Sequence, residues 1–179
     1  MTAIKRTLSI AFYIVMAFYA FLMLDFFFCF NIISSGVITE RSFNLIPFKT
    51  IWEYLSRENR ISVPRVVQNL LGNMIIFVPY GLYLQVLLKN KSVWKILLIV
   101  LLTSLAVEIL QFAFMRGAAD VDDLLLNLCG GLLGIGMYRL LRWMYQKEWP
   151  MKAVVTLISL FVGLPVMTLY FLPIFFRIF

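Results

Sequence analysis

The chain has 179 residues, of which 63% are hydrophobic and 14% are charged, and its mean hydropathy is +0.93. Soluble domains carry about 25% charged residues, so this composition indicates an integral membrane protein. The absence of histidine excludes Ser-His-Asp triads and the usual zinc sites. A hard-cation site built from oxygen ligands stays open. We predict no cofactor and no metal site, and nothing in the sequence points to a nucleic-acid partner.

Five apolar runs, each close to the roughly 20 residues needed to cross a bilayer, predict transmembrane helices. They are Leu8–Phe30, Val66–Leu88, Val93–Met115, Asp123–Tyr145 and Ala153–Phe176. The first run follows two basic residues, as a signal peptide would, but it is too long and is predicted to be retained. The predicted fold class is all-α, a polytopic membrane helical bundle in a single domain covering residues 1–179.

A short helix is predicted between the first two spans, within PFKTIWEYLSREN at residues 47–59. Its apolar residues recur at helical spacing, and charged residues occupy another face. This pattern favours a helix lying at the membrane interface in the first external loop, with Trp52 at headgroup depth. The alternative is a surface helix that only anchors the loop.

The topology prediction rests on Lys and Arg in the short loops, which are slightly more frequent on one side. Assigning that side to the cytoplasm places the N-terminus inside and the C-terminus outside.

Polar residues of several spans then converge in the outer half of the bilayer. Such residues usually face a bundle interior or a watery cavity, and are functional by default. Asn69 and Asn73 share a helix face, as do Glu108 and Gln111 on the next span. The predicted ligand-binding residues are Asn69, Asn73, Glu108, Gln111, Arg116, Asp120, Asp123 and Asn127.

The predicted stripe on the fourth span runs through Asp120, Asp123 and Asn127 toward Gly131 or Gly134. Asp122 lies off this stripe and is the weaker candidate. The structural alternatives are amide bonds between helices, an N-terminal cap made by the two stripe aspartates, and an arginine that snorkels to the interface. The small residues 130, 131 and 134 predict a close approach of a neighbouring helix.

Four segments resemble the VanZ-like membrane proteins. They are NLIPFKT at 44–50, QNLLGNMIIFVPYG at 68–81, EILQ at 108–111 and RGAADVDDLLLNLCGGLLG at 116–134. The family-like core covers about 44–140, and the span 153–176 lies outside it. The resemblance implies a bacterial cell membrane and raised resistance to teicoplanin-type lipoglycopeptides. The chain departs from the family at Leu128 and Cys129, where a Thr-containing pair is frequent.

The predicted function is binding of a membrane lipid or a lipid-linked cell-wall precursor in this outer polar pocket, with a lipoglycopeptide as a further possible partner. Arg116 is predicted to hold phosphate, since arginine forms paired hydrogen bonds with such oxygens. One alternative is a membrane enzyme acting on a lipid headgroup, with Glu108 and Asp123 as candidate acid and base. Another is a lipid carrier or flippase. The oligomeric state stays open.

Overall fold

The computed structural model describes residues 3–28, 43–56, 63–89, 92–114, 119–145 and 147–178. Its helices are α1 (Ala3–Phe28), α2 (Lys49–Ser56), α3 (Val63–Leu87), α4 (Val93–Ala113), α5 (Val121–Met144) and α6 (Glu148–Ile178). All except α2 are long and apolar enough to cross a membrane. The predicted all-α fold with five spans is therefore confirmed, and the short helix α2 lies within the predicted segment. The interfacial position of α2 stays a prediction.

Two very short strands accompany the helices. The strand β1 (Phe43–Asn44) pairs in parallel with β2 (Ala119–Asp120), so that Asn44 lies opposite Asp120. This ladder was not predicted from the sequence, because two residues are too few to show the alternation that marks a strand. The ladder ties the segment before α2 to the residues that lead into α5.

The chain forms two compact units, Met1–Ser35 with Gly136–Phe179, and Gly36–Ile135. In the first unit α1 packs along α6. Phe12, Leu22 and Val155 are buried there, and the ammonium of Lys152 lies 5.5 Å from the centre of the Phe12 ring. The C-terminal span predicted at residues 153–176 therefore belongs to the helix that packs against the first span.

In the second unit α3, α4 and the first half of α5 surround a core that includes Phe77, Ile96 and Val100. Glycine allows α3 and α5 to approach closely. A Cβ on Gly134 would meet the carbonyl oxygen of Val78 and lie 3.0 Å from the amide nitrogen of Leu82. The predicted close packing of these small residues is confirmed, and it brings the polar ends of the helices together.

Candidate functional site

Glu108 anchors the polar cluster of the second unit. It lies in the last turns of α4 and is only 4% exposed. Its Oε2 accepts a hydrogen bond of 3.0 Å from the backbone N–H of Asp120. A buried carboxylate requires hydrogen-bond partners, and here the partner is the backbone of β2 rather than a basic side chain.

The carboxylate of Asp120 joins three parts of the chain. Its Oδ1 accepts hydrogen bonds from the side-chain amide of Asn44 at 3.0 Å and from the backbone N–H of Asp122 at 2.9 Å. Its Oδ2 accepts a hydrogen bond of 2.5 Å from the hydroxyl of Thr50. Both of these side-chain donors come from the NLIPFKT segment, which the sequence analysis used only for the family resemblance. Sequence reasoning therefore missed Asn44 and Thr50 as parts of the site.

Asp122 is fully buried and holds the start of α2. Its carboxylate accepts hydrogen bonds from the backbone N–H groups of Phe48 at 2.5 Å and Ile51 at 3.1 Å. These N–H groups lie at the beginning of α2, where a helix has no internal partners for them. A capping residue normally precedes its helix, but Phe48 stands there instead. That missing local cap was a sequence signal for an acceptor supplied from elsewhere.

The structure also brings Asn73 and Asp123 together. The amide of Asn73, on α3, donates a hydrogen bond of 2.5 Å to Oδ1 of Asp123, on α5. One turn earlier on α3, the side-chain Oδ1 of Asn69 is buried and has no hydrogen-bond partner among the described residues. The Asn73–Asp123 bond agrees with the predicted convergence of the second and fourth spans.

A second polar layer lies one helical turn away from the carboxylates. The amide nitrogen of Asn127 donates a hydrogen bond of 2.8 Å to the hydroxyl of Ser104, and both residues are buried. The side-chain Oδ1 of Asn127 is unpaired within the part of the chain that the structure describes. Gln111 is half-buried on α4. The stripe itself starts later than predicted, because α5 begins at Val121 and Asp120 belongs to β2.

The carboxylates of the cluster have no basic partner among the described residues. Within the described ranges, Lys49 and Glu53 of α2 form an ion pair at 4.0 Å in which the lysine is exposed and the glutamate is half-buried. None of the cluster carboxylates forms a salt bridge with a described Lys or Arg; these carboxylates are Glu108, Asp120, Asp122 and Asp123. Arg116, the predicted cation of the site, lies outside the described residues.

The pKa of Tyr54, on α2, depends on these carboxylates. Burial raises the pKa of Tyr54 above its ordinary value of 10.0, and the negative charges of Asp123 and Asp120 raise it further. Burial and these charges therefore favour the neutral form of the phenol. No three His, Cys, Asp or Glu side chains among the described residues are arranged to hold a metal ion.

Comparison with known proteins identifies the family of this chain. The model of the VanZ/LLP1 family matches residues 10–142. The chain belongs to the VanZ/LLP1 family. This confirms the resemblance inferred from the four motifs, and with five membrane-spanning helices it makes the chain a multi-pass membrane protein of that family.

A VanZ/LLP1 relative is Protein VanZ of Enterococcus faecium, which is 35% identical over 120 residues. That match covers 66% of this chain and 66% of the relative, slightly less than two thirds of its length. No solved structure matches the chain. The family match includes every candidate site residue and ends within α5, so α6 lies outside it.

Proposed function

We propose that this protein binds an amphiphile whose headgroup enters the polar cluster around Glu108 and Asp123, and that it thereby contributes to resistance against teicoplanin-type lipoglycopeptides. The observation that carries the proposal is the convergence of carboxylates and amides from four segments at one end of the membrane-spanning helices. Intramembrane polar residues are costly and are retained where they serve a site. The predicted side is the outer half of the bilayer.

The hydrogen bonds among the described residues leave several acceptor positions of the cluster open to a ligand. An ionised carboxylate offers about four acceptor positions. Glu108 accepts one hydrogen bond from the described residues, and Asp123 accepts one. The side-chain amide oxygens of Asn69 and Asn127 add two further acceptors without described partners. A headgroup rich in donors, such as sugar hydroxyls or peptide amides, complements such a set of acceptors.

A phospholipid or a lipid-linked cell-wall precursor carries a headgroup of this kind next to acyl chains. Its phosphate would be held by Arg116, which follows α4 in the sequence and can form paired hydrogen bonds with phosphate oxygens. Gln111 and Asp120 complete the proposed binding set at the same end of α4 and α5. A bound precursor would be presented differently at the outer surface, where a lipid-anchored antibiotic docks. Catalytic roles for Glu108 and Asp123 stay predictions of the sequence.

The test is antibiotic susceptibility in a Gram-positive host that expresses the protein at matched membrane abundance. Wild type is expected to raise the inhibitory concentration of teicoplanin without a comparable change for vancomycin. Glu108→Gln replaces the buried carboxyl group by an amide of nearly the same size, and we expect it to abolish the teicoplanin effect. Glu53→Gln makes the same substitution on the charged face of α2, outside the polar cluster, and should retain the effect.

Equal resistance from wild type and Glu108→Gln would refute the binding role of the cluster. A second measurement tests binding directly, without the resistance phenotype. A ligand that binds the folded state stabilises it against heat. The purified protein should melt at a higher temperature with lipid-linked precursor than with the same lipid lacking its sugar and peptide headgroup. An identical shift with both lipids would count against headgroup recognition.

A further inference from the structure

We infer that the segment Phe43–Leu55, here called the apolar hook, is seated in the lipid leaflet on the side of Glu108 and Asp120. This extends the predicted interfacial position of α2 to the residues before it, and it names the lipid as their partner. Large apolar side chains dominate the hook and are 62–73% exposed; they are Phe43, Leu45, Ile46, Phe48, Trp52 and Leu55.

The depth of the hook follows from its anchors. Glu108 precedes Ala113, the last residue of α4, by five positions, which at 1.5 Å per residue is about 7.5 Å along the helix. The backbone N–H of Asp120 donates to Glu108, and Asp120 in turn pairs with Asn44 across the strand ladder. The hook is therefore held level with the last turns of a membrane-spanning helix. Side chains exposed at that level meet lipid rather than bulk water.

The helix α2 carries three different faces. Thr50 and Tyr54 are half-buried and face the protein, where Thr50 donates to Asp120. Lys49 and Glu53 form a charged face. Trp52 and Leu55 form an exposed apolar face between them. A helix at a membrane interface needs these three surroundings, which are protein, headgroups or water, and acyl chains.

The turn before α2 supports the same placement. Phe48 has a positive φ of 64°, which is unfavourable for a bulky residue. Its backbone N–H is held by the buried carboxylate of Asp122, while its aromatic ring is 65% exposed. The fold thus maintains a strained backbone with the ring directed outward. A continuous apolar surface of this kind in water favours aggregation, whereas in a leaflet it is continuous with the apolar surfaces of the spans.

The test is site-directed cysteine labelling in a chain that carries C29A and C129A, in open membrane fragments accessible from both sides. L45C and W52C probe the hook, and K49C and E53C are matched controls on the charged face. The cysteine thiolate, which forms in contact with water, attacks the double bond of a water-soluble maleimide, so we expect L45C and W52C to react about tenfold more slowly than the controls. All four should react alike after solubilisation in sodium dodecyl sulphate. Equal rates in membranes would overturn the inference.

A second measurement distinguishes lipid from a protein partner that shields the same surface. In a chain carrying W94F, W143F and W149F, Trp52 is the remaining tryptophan, and its fluorescence is measured in bilayers containing lipid with brominated acyl chains. Strong quenching is the expected result. Slow labelling without quenching would show that protein covers the hook, and would overturn the inference. D122N, which weakens the anchor, is expected to raise the labelling rate of L45C toward that of K49C.

Discussion

Two glycines of α5, two positions apart, offer a controlled test of how closely α3 and α5 pack. A Cβ on Gly134 would meet the backbone of α3 at the Val78 carbonyl oxygen, with Leu82 N at 3.0 Å. A Cβ on Gly136 would meet nothing within 4 Å. Because α3 presents backbone rather than a flexible side chain to Gly134, the clash is relieved only if one helix moves. Gly134→Ala is therefore expected to destabilise the fold, and Gly136→Ala is not.

The magnitude follows from two opposing contributions. Replacing glycine by alanine within a helix favours folding by about 0.8–1.0 kcal/mol. Overpacking a tightly packed interior costs about 1–3 kcal/mol. The helical preference is common to both variants and cancels between them, so the two free energies of unfolding should differ by about 1–3 kcal/mol, with Gly134→Ala the less stable. The backbone contact at Gly134 favours the upper part of that range.

The assay is reversible unfolding of the purified protein in mixed micelles, followed by circular dichroism as the fraction of denaturing detergent rises. Gly136→Ala should unfold at the same detergent fraction as wild type or at a higher one. Gly134→Ala should unfold at a lower fraction. If the two variants have the same free energy of unfolding, the backbones of α3 and α5 do not approach as closely as the structure shows, and the reasoning fails.

Three further predictions concern the polar cluster. Asp122→Asn replaces an acceptor oxygen by an amide that cannot accept from a second N–H group, so the free energy of unfolding should fall by about 1–3 kcal/mol; an unchanged value in detergent unfolding would contradict the capping role. The Asn73–Asp123 hydrogen bond should give a coupling energy of about 0.6–1.7 kcal/mol in a double-mutant cycle with Asn73→Ala and Asp123→Ala; additive effects would show that the two side chains act independently. Burial and the Asp123 charge raise the pKa of Tyr54 above 10.0, so the folded chain holds this proton longer than the unfolded chain does. Stability contributed by the neutral phenol is therefore present below about pH 10 and is lost as the pH rises through the folded pKa. As the pH rises above about 10, the melting temperature should fall less steeply for Tyr54→Phe than for wild type. Parallel curves for the two proteins would argue against a raised pKa of Tyr54 in the folded state.

The spans were predictable because hydrocarbon imposes a simple requirement on the chain. A helix satisfies its own backbone hydrogen bonds in lipid, and about 20 apolar residues suffice to cross it. The predicted start of the third span, Val93, is also the first residue of α4. Helical periodicity likewise placed Asn69 with Asn73 and predicted that glycines of α5 would contact a neighbouring helix. These are local properties, which a sequence carries without reference to distant residues.

The roles of Asp120 and Asp122 depended on distant contacts. Asp122 lies off the stripe formed by Asp123 and Asn127, and periodicity alone made it the weaker candidate. In the structure it is fully buried, because its carboxylate satisfies backbone N–H groups more than seventy positions earlier in the chain. The short ladder that ends at Asp120 makes this possible, and two residues carry no periodic signal.

The sequence by itself determined where the membrane lies along the chain and at which ends of the helices the polar residues gather, because apolar length and helical spacing are local. Only the tertiary structure decided which carboxylates hold distant segments together and which accept a single hydrogen bond from the described residues. That distinction depends on the donors that reach each oxygen, and the donors to Asp120 and Asp122 include Asn44, Thr50 and the start of α2. Their positions are set by packing between segments far apart in sequence.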